Sequence, residues 1–225
     1  MKKFALIVAG GTGSRMKNNI AKQFIEINGR PILMHTIEAF YNFDPNFDFI
    51  LVLPKDQLTL WNQLCEKHRF NVEHKIAFGG ETRFQSVKNG LDLILGDGIV
   101  FIHDGVRPLV SAKTLQNCFE WALAKGNALP VVSVSESVRM VDGTDNFAVD
   151  RSKYFLVQTP QTFIVSLIKN AYQKAKSSSF TDDATVLESM GETIQMVDGN
   201  RENVKITYPE DLVYAEVFIG KMNVD

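Results

Sequence analysis

The sequence predicts an α/β protein built on a doubly wound, mostly parallel sheet that carries one inserted β-hairpin arm. Short apolar segments rich in β-branched and aromatic residues alternate with amphipathic segments of helical period. The alternation breaks between residues 135 and 157, where apolar and polar residues alternate around the turn sequence DGTDN. The chain has 225 residues, of which 45% are hydrophobic and 22% charged, enough apolar material for one packed core. Residues 1–225 are therefore predicted to form a single domain, with the arm at 135–157 inserted in it.

The first half of the chain predicts four strands and three helices. Residues 4–8, 47–54, 72–78 and 98–104 are short apolar segments typical of strands. Helices are predicted at 31–40, at 57–69 and from Arg83 onward. The third helix is predicted from apolar residues at helical spacing, namely Phe84, Val87, Leu91, Ile94 and Leu95. Because a helix joins each strand to the next, the pattern favours parallel strands with right-handed crossovers.

The second half of the chain continues the alternation around the arm. Ser111 is predicted to cap a helix that leads into a strand at residues 128–134. Beyond the arm, helices are predicted near 164–176, from Thr181, which is expected to be the N-cap, and from Pro209, a favoured residue in the first helical turn. A strand pair is predicted at 194–197 and 203–207. The acidic residues after Thr181 are interpreted as helix-dipole partners and are left out of the predicted site.

Composition excludes several classes of function. A net charge of −2 gives no electrostatic reason to expect a nucleic acid partner. Cys65 and Cys118 fall in helical segments without paired spacing, which favours a reducing compartment over a disulfide framework. The start of the chain has no signal-peptide pattern, and no apolar segment has membrane-spanning length. We therefore expect a soluble, cytoplasmic protein with no membrane partner.

A glycine-rich loop follows the first predicted strand, in the sequence AGGTGSRM. It does not match the Walker phosphate loop, and the dinucleotide fingerprint that starts at Gly11 has Met16 where its last glycine should be. Backbone N–H groups in such a loop can still face an anion, with Arg15 and Lys22 close by in sequence. The alternative is a plain glycine turn with both cations in solvent, and residue types alone leave the two interpretations about equal.

Two more loops follow predicted parallel strands. GGETR (79–83) follows the third strand and HDGVRP (103–108) follows the fourth. Ligands of open parallel sheets lie at the carboxyl ends of the strands, so all three loops are candidates for one site. Taken alone, GGETR is a turn into a helix, and Asp104 is a turn-forming residue. Three such loops at one edge of the sheet favour a nucleotide site.

Seven segments follow one another along the chain: AGGTGSRM…KQF, GGETR…S, HDGVRP, VDR, QTPQTF, TDDA and NVKITYPEDL. With these segments the chain resembles the 2-C-methyl-D-erythritol 4-phosphate cytidylyltransferase family. The resemblance runs in order from Ile7 to about Ala215, with Ala21 standing where the family usually has proline. The first segment alone is shared by nucleotidyltransferases in general, and the whole set is specific to this branch. The resemblance implies a Rossmann-like nucleotidyltransferase fold whose arm embraces a second subunit, giving a homodimer.

The resemblance also implies an activity. Members join CTP to methylerythritol phosphate and release pyrophosphate, with a divalent cation, usually Mg²⁺, on the non-mevalonate route to isoprenoid precursors. Arg15 and Lys22 are implied as catalytic residues, because fixed positive charge at the α-phosphorus stabilises the transition state. Asp104 is the carboxylate expected near the metal, since Mg²⁺ needs few protein ligands when phosphates supply the rest.

The binding residues carry over position by position. Arg151, from the partner's arm, and Lys205 are implied to grip the substrate phosphate. Asp104, Arg107 and Thr159 are implied as further substrate-binding residues. The implied CTP-binding residues are Ala9, Gly10, Gly11, Gly80, Arg83 and Ser86.

Three alternatives are weighed against this interpretation. A cytidylyltransferase for another polyol phosphate, such as ribitol 5-phosphate, would share the nucleotide half of the site. A noncatalytic nucleotide-binding module could use the same fold, although it would not need both Arg15 and Lys22. A dehydrogenase is disfavoured by Met16 and by the lack of an acidic residue in FILVLP, the second predicted strand.

Overall fold

The computed structural model describes residues 1–10 and 20–222. The strands are β1 (Lys3–Val8), β2 (Glu26–Ile27), β3 (Arg30–Pro31), β4 (Asp48–Leu53), β5 (His74–Phe78), β6 (Ile99–Asp104), β7 (Asn127–Ser133), β8 (Arg139–Asp142), β9 (Asp145–Ala148), β10 (Phe155–Val157), β11 (Gln161–Ile164) and β12 (Met196–Asp198). The helices are α1 (Ile32–Phe43), α2 (Leu58–His68), α3 (Arg83–Asp92), α4 (Ala112–Lys125), α5 (Val165–Lys174), α6 (Asp183–Glu188) and α7 (Pro209–Met222).

The main sheet has eight strands in the order β10-β7-β11-β6-β1-β4-β5, with β12 also paired to β7. The strands β6, β1, β4 and β5 are parallel, and β11 and β10 are antiparallel to their partners. In this register Val8 lies opposite both Val52 and Asp104, so the carboxyl ends of the central strands meet at one edge. The predicted fold class, α/β with a mostly parallel sheet, is confirmed.

Helices cover both faces of this sheet. Successive side chains of a strand point to opposite faces, and β1 shows this directly. Ala5 and Ile7 join a core with residues of α1, α2 and α4, whereas Phe4 and Leu6 join a core with residues of α3, α5 and α6. The sheet is therefore doubly wound, and its central strands are apolar throughout because both faces are buried.

Most predicted elements are present with boundaries shifted by a few residues. Ser111 caps α4 by accepting a hydrogen bond from the Thr114 N–H at 3.1 Å, and α7 begins at Pro209, both as predicted. The helix α3 is shorter than predicted because it ends at Asp92. Leu95 consequently lies beyond it and is 74% exposed instead of packing in the core.

One strand was not predicted, and two local predictions are wrong. The unpredicted strand is β11, which enters the sheet antiparallel between β6 and β7. Residues 203–207 form no strand in the described structure, because their backbone is bound by loops, as in the 2.9 Å bond from the Ile206 N–H to the Val106 carbonyl. The residue that caps α6 is Asp182, which accepts from the Thr185 N–H, and not Thr181.

The predicted arm contains a hairpin that stands apart from the main sheet. Its strands β8 and β9 pair only with each other among the described strands, around a turn that contains Gly143 at φ 59°. Residues 155–157 at the end of the predicted arm form β10, which returns to pair with β7. No helix in the described part of the chain is long and apolar enough to cross a membrane.

Candidate active site

A cavity of about 350 Å³ opens where the carboxyl ends of β1, β5 and β6 meet. It lies at the edge of the sheet that the positions of the three loops predict. Its described lining residues are Val8, Ala9, Gly10, Lys22, Gln23, Gly80, Glu81, Thr82, Arg83, Ser86, Asp104, Val106 and Lys205.

Asp104, the last residue of β6, places a buried carboxylate in this cavity. Its Oδ2 atom lies 3.2 Å from Nζ of Lys205 and 3.1 Å from Nε of Arg107. Burial alone would raise the pKa of this carboxyl, but Lys205, Arg83 and Arg107 together outweigh burial and hold the pKa well below its usual range. Asp104 is therefore an anion at neutral pH, surrounded by three cations.

His103 and Thr159 fix the backbone that carries Asp104. The Nε2–H of His103 donates to the Arg107 carbonyl at 3.0 Å, which leaves Nδ1 to accept from the Thr159 hydroxyl at 3.0 Å. The same hydroxyl accepts from the Asp104 N–H at 3.1 Å. Burial lowers the pKa of His103 to about 4, so the imidazole is neutral and serves to hold the end of β6.

We expect this imidazole to make the protein less stable in mild acid. The unfolded chain takes up a proton at His103 below about pH 6.5, whereas the folded protein does so only near pH 4. The contribution of His103 to the free energy of unfolding is therefore complete above pH 6.5 and falls by about 3 kcal/mol as the pH drops to 4. Denaturant unfolding across this range should show a shallower pH dependence in His103→Gln, whose amide does not titrate. An identical pH dependence in both proteins would contradict the neutral buried imidazole.

The loop after β5 supplies a wall of small residues. The Ser86 hydroxyl accepts a hydrogen bond from the Gly80 N–H at 3.1 Å, which ties the loop to α3. A Cβ atom at Gly80 would lie 2.1 Å from Cγ of Gln85, and one at Gly10 would lie 3.4 Å from Oγ of Ser86. Only glycine therefore fits at Gly80 without a shift of Gln85, whereas a Cβ atom at Gly10 would make an ordinary contact.

Arg83, the first residue of α3, is held in the cavity wall by a buried acid. Its Nη1 and Nη2 atoms lie 2.8 and 2.6 Å from the two carboxylate oxygens of Asp183, a bidentate pair. Burial alone would lower the pKa of Arg83, but the adjacent Asp183 raises it above its usual value. Tyr172 also donates its hydroxyl to Asp183, at 2.6 Å.

Lys22 reaches the cavity from a short 3-10 turn, Lys22–Phe24, that is anchored on both sides. The buried amide of Gln23 donates to the Ala9 carbonyl at 3.0 Å and to Oε1 of Gln57 at 2.6 Å. The Phe24 ring stacks on Trp61, and Lys22 Nζ donates to the Ile206 carbonyl at 3.3 Å. The turn thereby links the start of the glycine loop to the chain segment that carries Lys205.

The family model for 2-C-methyl-D-erythritol 4-phosphate cytidylyltransferase matches residues 4–221. The chain belongs to this family. A cytidylyltransferase of that name from Phocaeicola vulgatus is 51% identical over 219 residues, covering 97% of this chain and all of the relative. Another from Geobacillus thermodenitrificans is 37% identical, covering 96% of both chains. The crystal structure of the Thermus thermophilus cytidylyltransferase is 29% identical, with a TM-score of 0.80 over 97% of this chain and 98% of the other.

The structure brings most of the residues implied by this family into one place. Eight of them line the cavity: Ala9, Gly10, Lys22, Gly80, Arg83, Ser86, Asp104 and Lys205. Arg107 contacts Asp104 from the side and also donates to the Asn203 carbonyl at 2.8 Å. Gly11 and Arg15 lie outside the described residues.

Three of the implied residues that the structure describes are not among the cavity-lining residues: Arg107, Thr159 and Arg151. The Thr159 hydroxyl contacts the Asp104 N–H and Nδ1 of His103, so in this structure it supports the end of β6 behind the cavity. Arg151 lies on the exposed arm, where it donates to the Ser135 carbonyl. Gln23 and Asp183 were not predicted. Gln23 lies in the segment KQF and Asp183 in the segment TDDA, both of which contribute to the family resemblance. The contacts of these two side chains are visible only in the folded structure.

The residues present fit a magnesium ion that arrives with a nucleotide. No group of three potential metal ligands occurs among the described residues, so this part of the chain has no preformed metal cage. Asp104 is ionised, lines the cavity and receives both of its cation contacts on Oδ2. One carboxylate together with phosphate oxygens is a common way for proteins to hold Mg²⁺.

Proposed function

We propose that the cavity binds CTP and that the protein transfers its cytidylyl group to 2-C-methyl-D-erythritol 4-phosphate. The products are 4-diphosphocytidyl-2-C-methyl-D-erythritol and pyrophosphate, in the non-mevalonate pathway to isoprenoid precursors. The observation that carries this proposal is that Lys22, Arg83 and Lys205 line one cavity together with the ionised carboxylate of Asp104, in a member of the family. Such a site suits two anionic phosphates that must be brought together.

In this reaction a phosphate oxygen of the sugar phosphate attacks the α-phosphorus of CTP. A new P–O bond forms, the bond from the α-phosphorus to the bridging oxygen breaks, and pyrophosphate leaves with that electron pair. The attacking oxygen is already an anion, so no strong base is required, and the protein contributes position and fixed charge. Lys22 supplies charge near the α-phosphorus, Lys205 holds the sugar phosphate, and Arg83 faces the nucleotide. Arg15 is assigned beside Lys22 from the family resemblance alone.

Magnesium is part of the proposal. Asp104 would be its protein ligand, and the ion, when bound, supplies charge that neutralises the phosphate oxygens of CTP and of the leaving pyrophosphate. The pocket framed by Gly80 and Ser86 would receive the cytosine base, with main-chain groups facing its edge.

Pyrophosphate release in the presence of CTP and Mg²⁺ tests this function. We expect 2-C-methyl-D-erythritol 4-phosphate to support release far faster than ribitol 5-phosphate at equal concentration. A higher kcat/KM for ribitol 5-phosphate would assign the protein to the other polyol phosphate. CTP binding without pyrophosphate release on any polyol phosphate would favour the noncatalytic module instead.

We also propose that the protein works as a homodimer through its arm. The strands β8, β9 and β10 are exposed along their whole length, and an uncovered apolar hairpin is a liability in a monomer. The exposed apolar side chains are Met140, Val141, Phe147, Tyr154, Phe155, Leu156 and Val157. Arg151 lies on this same surface and outside its own cavity, so it is available to complete the site of a second copy.

Mixing two inactive variants tests this arrangement. Arg151→Ala and Lys22→Ala are each expected to lose most activity, and a mixed dimer would contain one site with both residues intact. After demonstrated subunit exchange, activity should recover to at most about a quarter of wild type, since half of the dimers are mixed and each has one good site. Absence of recovery would place Arg151 in the site of its own subunit.

A cytoplasmic location completes the proposal. Both cysteines, Cys65 and Cys118, are free thiols, and Cys118 is buried in the core. Unpaired buried thiols suit a reducing compartment. Cell fractionation with an antibody to the native protein would test this location.

A further inference from the structure

Asp183 is a fully buried carboxylate whose described charge partner is one residue of the cavity wall. Its side chain has no exposed surface, while that of Arg83 is 26% exposed. A carboxylate that loses its water needs a cation and hydrogen bonds in return. Arg83 supplies the charge through two parallel bonds, and Tyr172 supplies a third bond at 2.6 Å.

The pairing leaves the other side of the guanidinium available to a ligand. Arginine has five N–H donors, and Asp183 takes two of them, one on each terminal nitrogen. The remaining donors belong to a planar group that lines the cavity and cannot rotate while both bonds to Asp183 are in place. Such a held guanidinium matches phosphate oxygens in geometry and charge.

The supports of Asp183 are themselves rigid. The Tyr172 ring stacks on Phe84, the neighbour of Arg83 in α3, with ring centroids 4.6 Å apart and planes 15° apart. Gln161 accepts from the Ala184 N–H at 2.8 Å and donates to Asp182 at 3.0 Å, which fixes the start of α6. Contacts with α5 and β11, together with its place in α6, therefore fix the Asp183 carboxylate independently of its pair with Arg83 in α3.

We propose that Asp183 and Tyr172 are positioning residues for nucleotide binding. They hold the Arg83 guanidinium at the cavity wall in the orientation that receives a phosphate group of CTP. The inference rests on the proposed function, because it requires that CTP occupies this cavity. It also assigns a role to the TDDA segment beyond that of a helix cap.

Equilibrium binding of CTP, together with KM and kcat, tests the inference in single and double variants. Arg83→Met and Asp183→Asn should each weaken CTP binding by about 10- to 100-fold, and Tyr172→Phe by a smaller factor. In Asp183→Asn the amide nitrogen opposes one guanidinium N–H, so the fork is no longer held. The KM for the sugar phosphate should stay near wild type in all three.

The double variant separates positioning from general structure. If Asp183 acts through Arg83, adding Asp183→Asn to Arg83→Met should weaken CTP binding no further. It should also recover thermal stability that Asp183→Asn alone loses, because no guanidinium is then left without its carboxylate partner. Tyr172→Phe keeps the ring stack and removes one hydroxyl, so it reports on binding even where Asp183→Asn folds poorly.

Two matched controls complete the design. Glu38→Gln breaks another arginine–carboxylate pair, Arg30–Glu38 at 2.6 Å, outside the cavity. Tyr41→Phe removes an exposed phenol from α1. Both should bind CTP like wild type.

Two outcomes would overturn the positioning role. One is unchanged CTP binding in Asp183→Asn and Tyr172→Phe, and the other is a further loss of CTP binding on adding Asp183→Asn to Arg83→Met. A wild-type protein that fails to bind CTP would overturn the proposed function instead.

Discussion

Replacing Lys22 by alanine is expected to lower kcat by about 10²- to 10³-fold, the usual loss when one preorganised charge is removed from a transition state. The KM for the sugar phosphate should change little, because a charge at the α-phosphorus stabilises the transition state more than it stabilises bound substrate. Steady-state kinetics with CTP and 2-C-methyl-D-erythritol 4-phosphate would measure both constants.

The structure explains why a neighbouring cation should not replace Lys22. Gln23 and Phe24 fix the turn that carries it, through the Ala9 carbonyl and the Trp61 ring, so the backbone has little freedom to present another group. Arg83 is held by Asp183, and Lys205 by Asp104. Arg83 and Lys205 are thus each paired with an acid of their own, so neither is expected to move into the position of Lys22.

Lys55→Ala is the matched control for this variant. Lys55 is an exposed lysine in the 3-10 turn Lys55–Gln57, just after β4, and it does not line the cavity. It should retain wild-type kcat and KM. A Lys22→Ala protein that keeps full kcat, or one whose main defect is a raised KM for the sugar phosphate, would contradict the catalytic role.

The sheet and the location of the site could be predicted because they follow from local signals. An apolar segment followed by a polar, glycine-containing loop marks the carboxyl end of a buried strand, and in parallel strands all such ends share one edge. GGETR and HDGVRP therefore meet in the cavity as expected. The same rule does not locate β11, a short antiparallel strand of mixed polarity that follows an irregular arm.

The roles of Asp183 and Thr159 could not be predicted because they depend on distant partners. Asp183 stands 100 positions from Arg83, and its surroundings in sequence are those of an ordinary helix start. Thr159 lies 55 positions from Asp104, whose N–H it receives. In both cases a short polar side chain gains its role from the residue that the fold brings to it. Such a contact cannot be predicted from residue type or from spacing along the chain.

Replacing Lys205 by alanine is expected to act on the other half of the reaction. Its side chain is 44% exposed, and its ammonium, 3.2 Å from Asp104, lies where it can hold an anion already present in the ground state. Loss of one charge-assisted contact should raise the KM for the sugar phosphate by about 10- to 100-fold. The KM for CTP should stay near wild type, and kcat should fall only as far as the attacking oxygen is misplaced.

The same variant should also change how activity depends on pH. Burial raises the pKa of Asp104, and Lys205 is the strongest of the cations that lower it. Without Lys205 the carboxyl takes up a proton at higher pH, so the acid limb of kcat/KM should move upward, while Lys205→Arg should keep the wild-type position. The lowered pKa of Asp104 also affects the stability of the folded protein. The ionised carboxyl stabilises the folded protein at pH values above its ordinary pKa near 4, and this stabilisation is lost as the pH falls. An unmoved acid limb in Lys205→Ala would show that the pKa of Asp104 does not depend on this lysine.

The kinetic constants of Lys205→Ala test its place in the site. Impaired CTP binding with normal sugar phosphate binding would place Lys205 in the nucleotide half of the site.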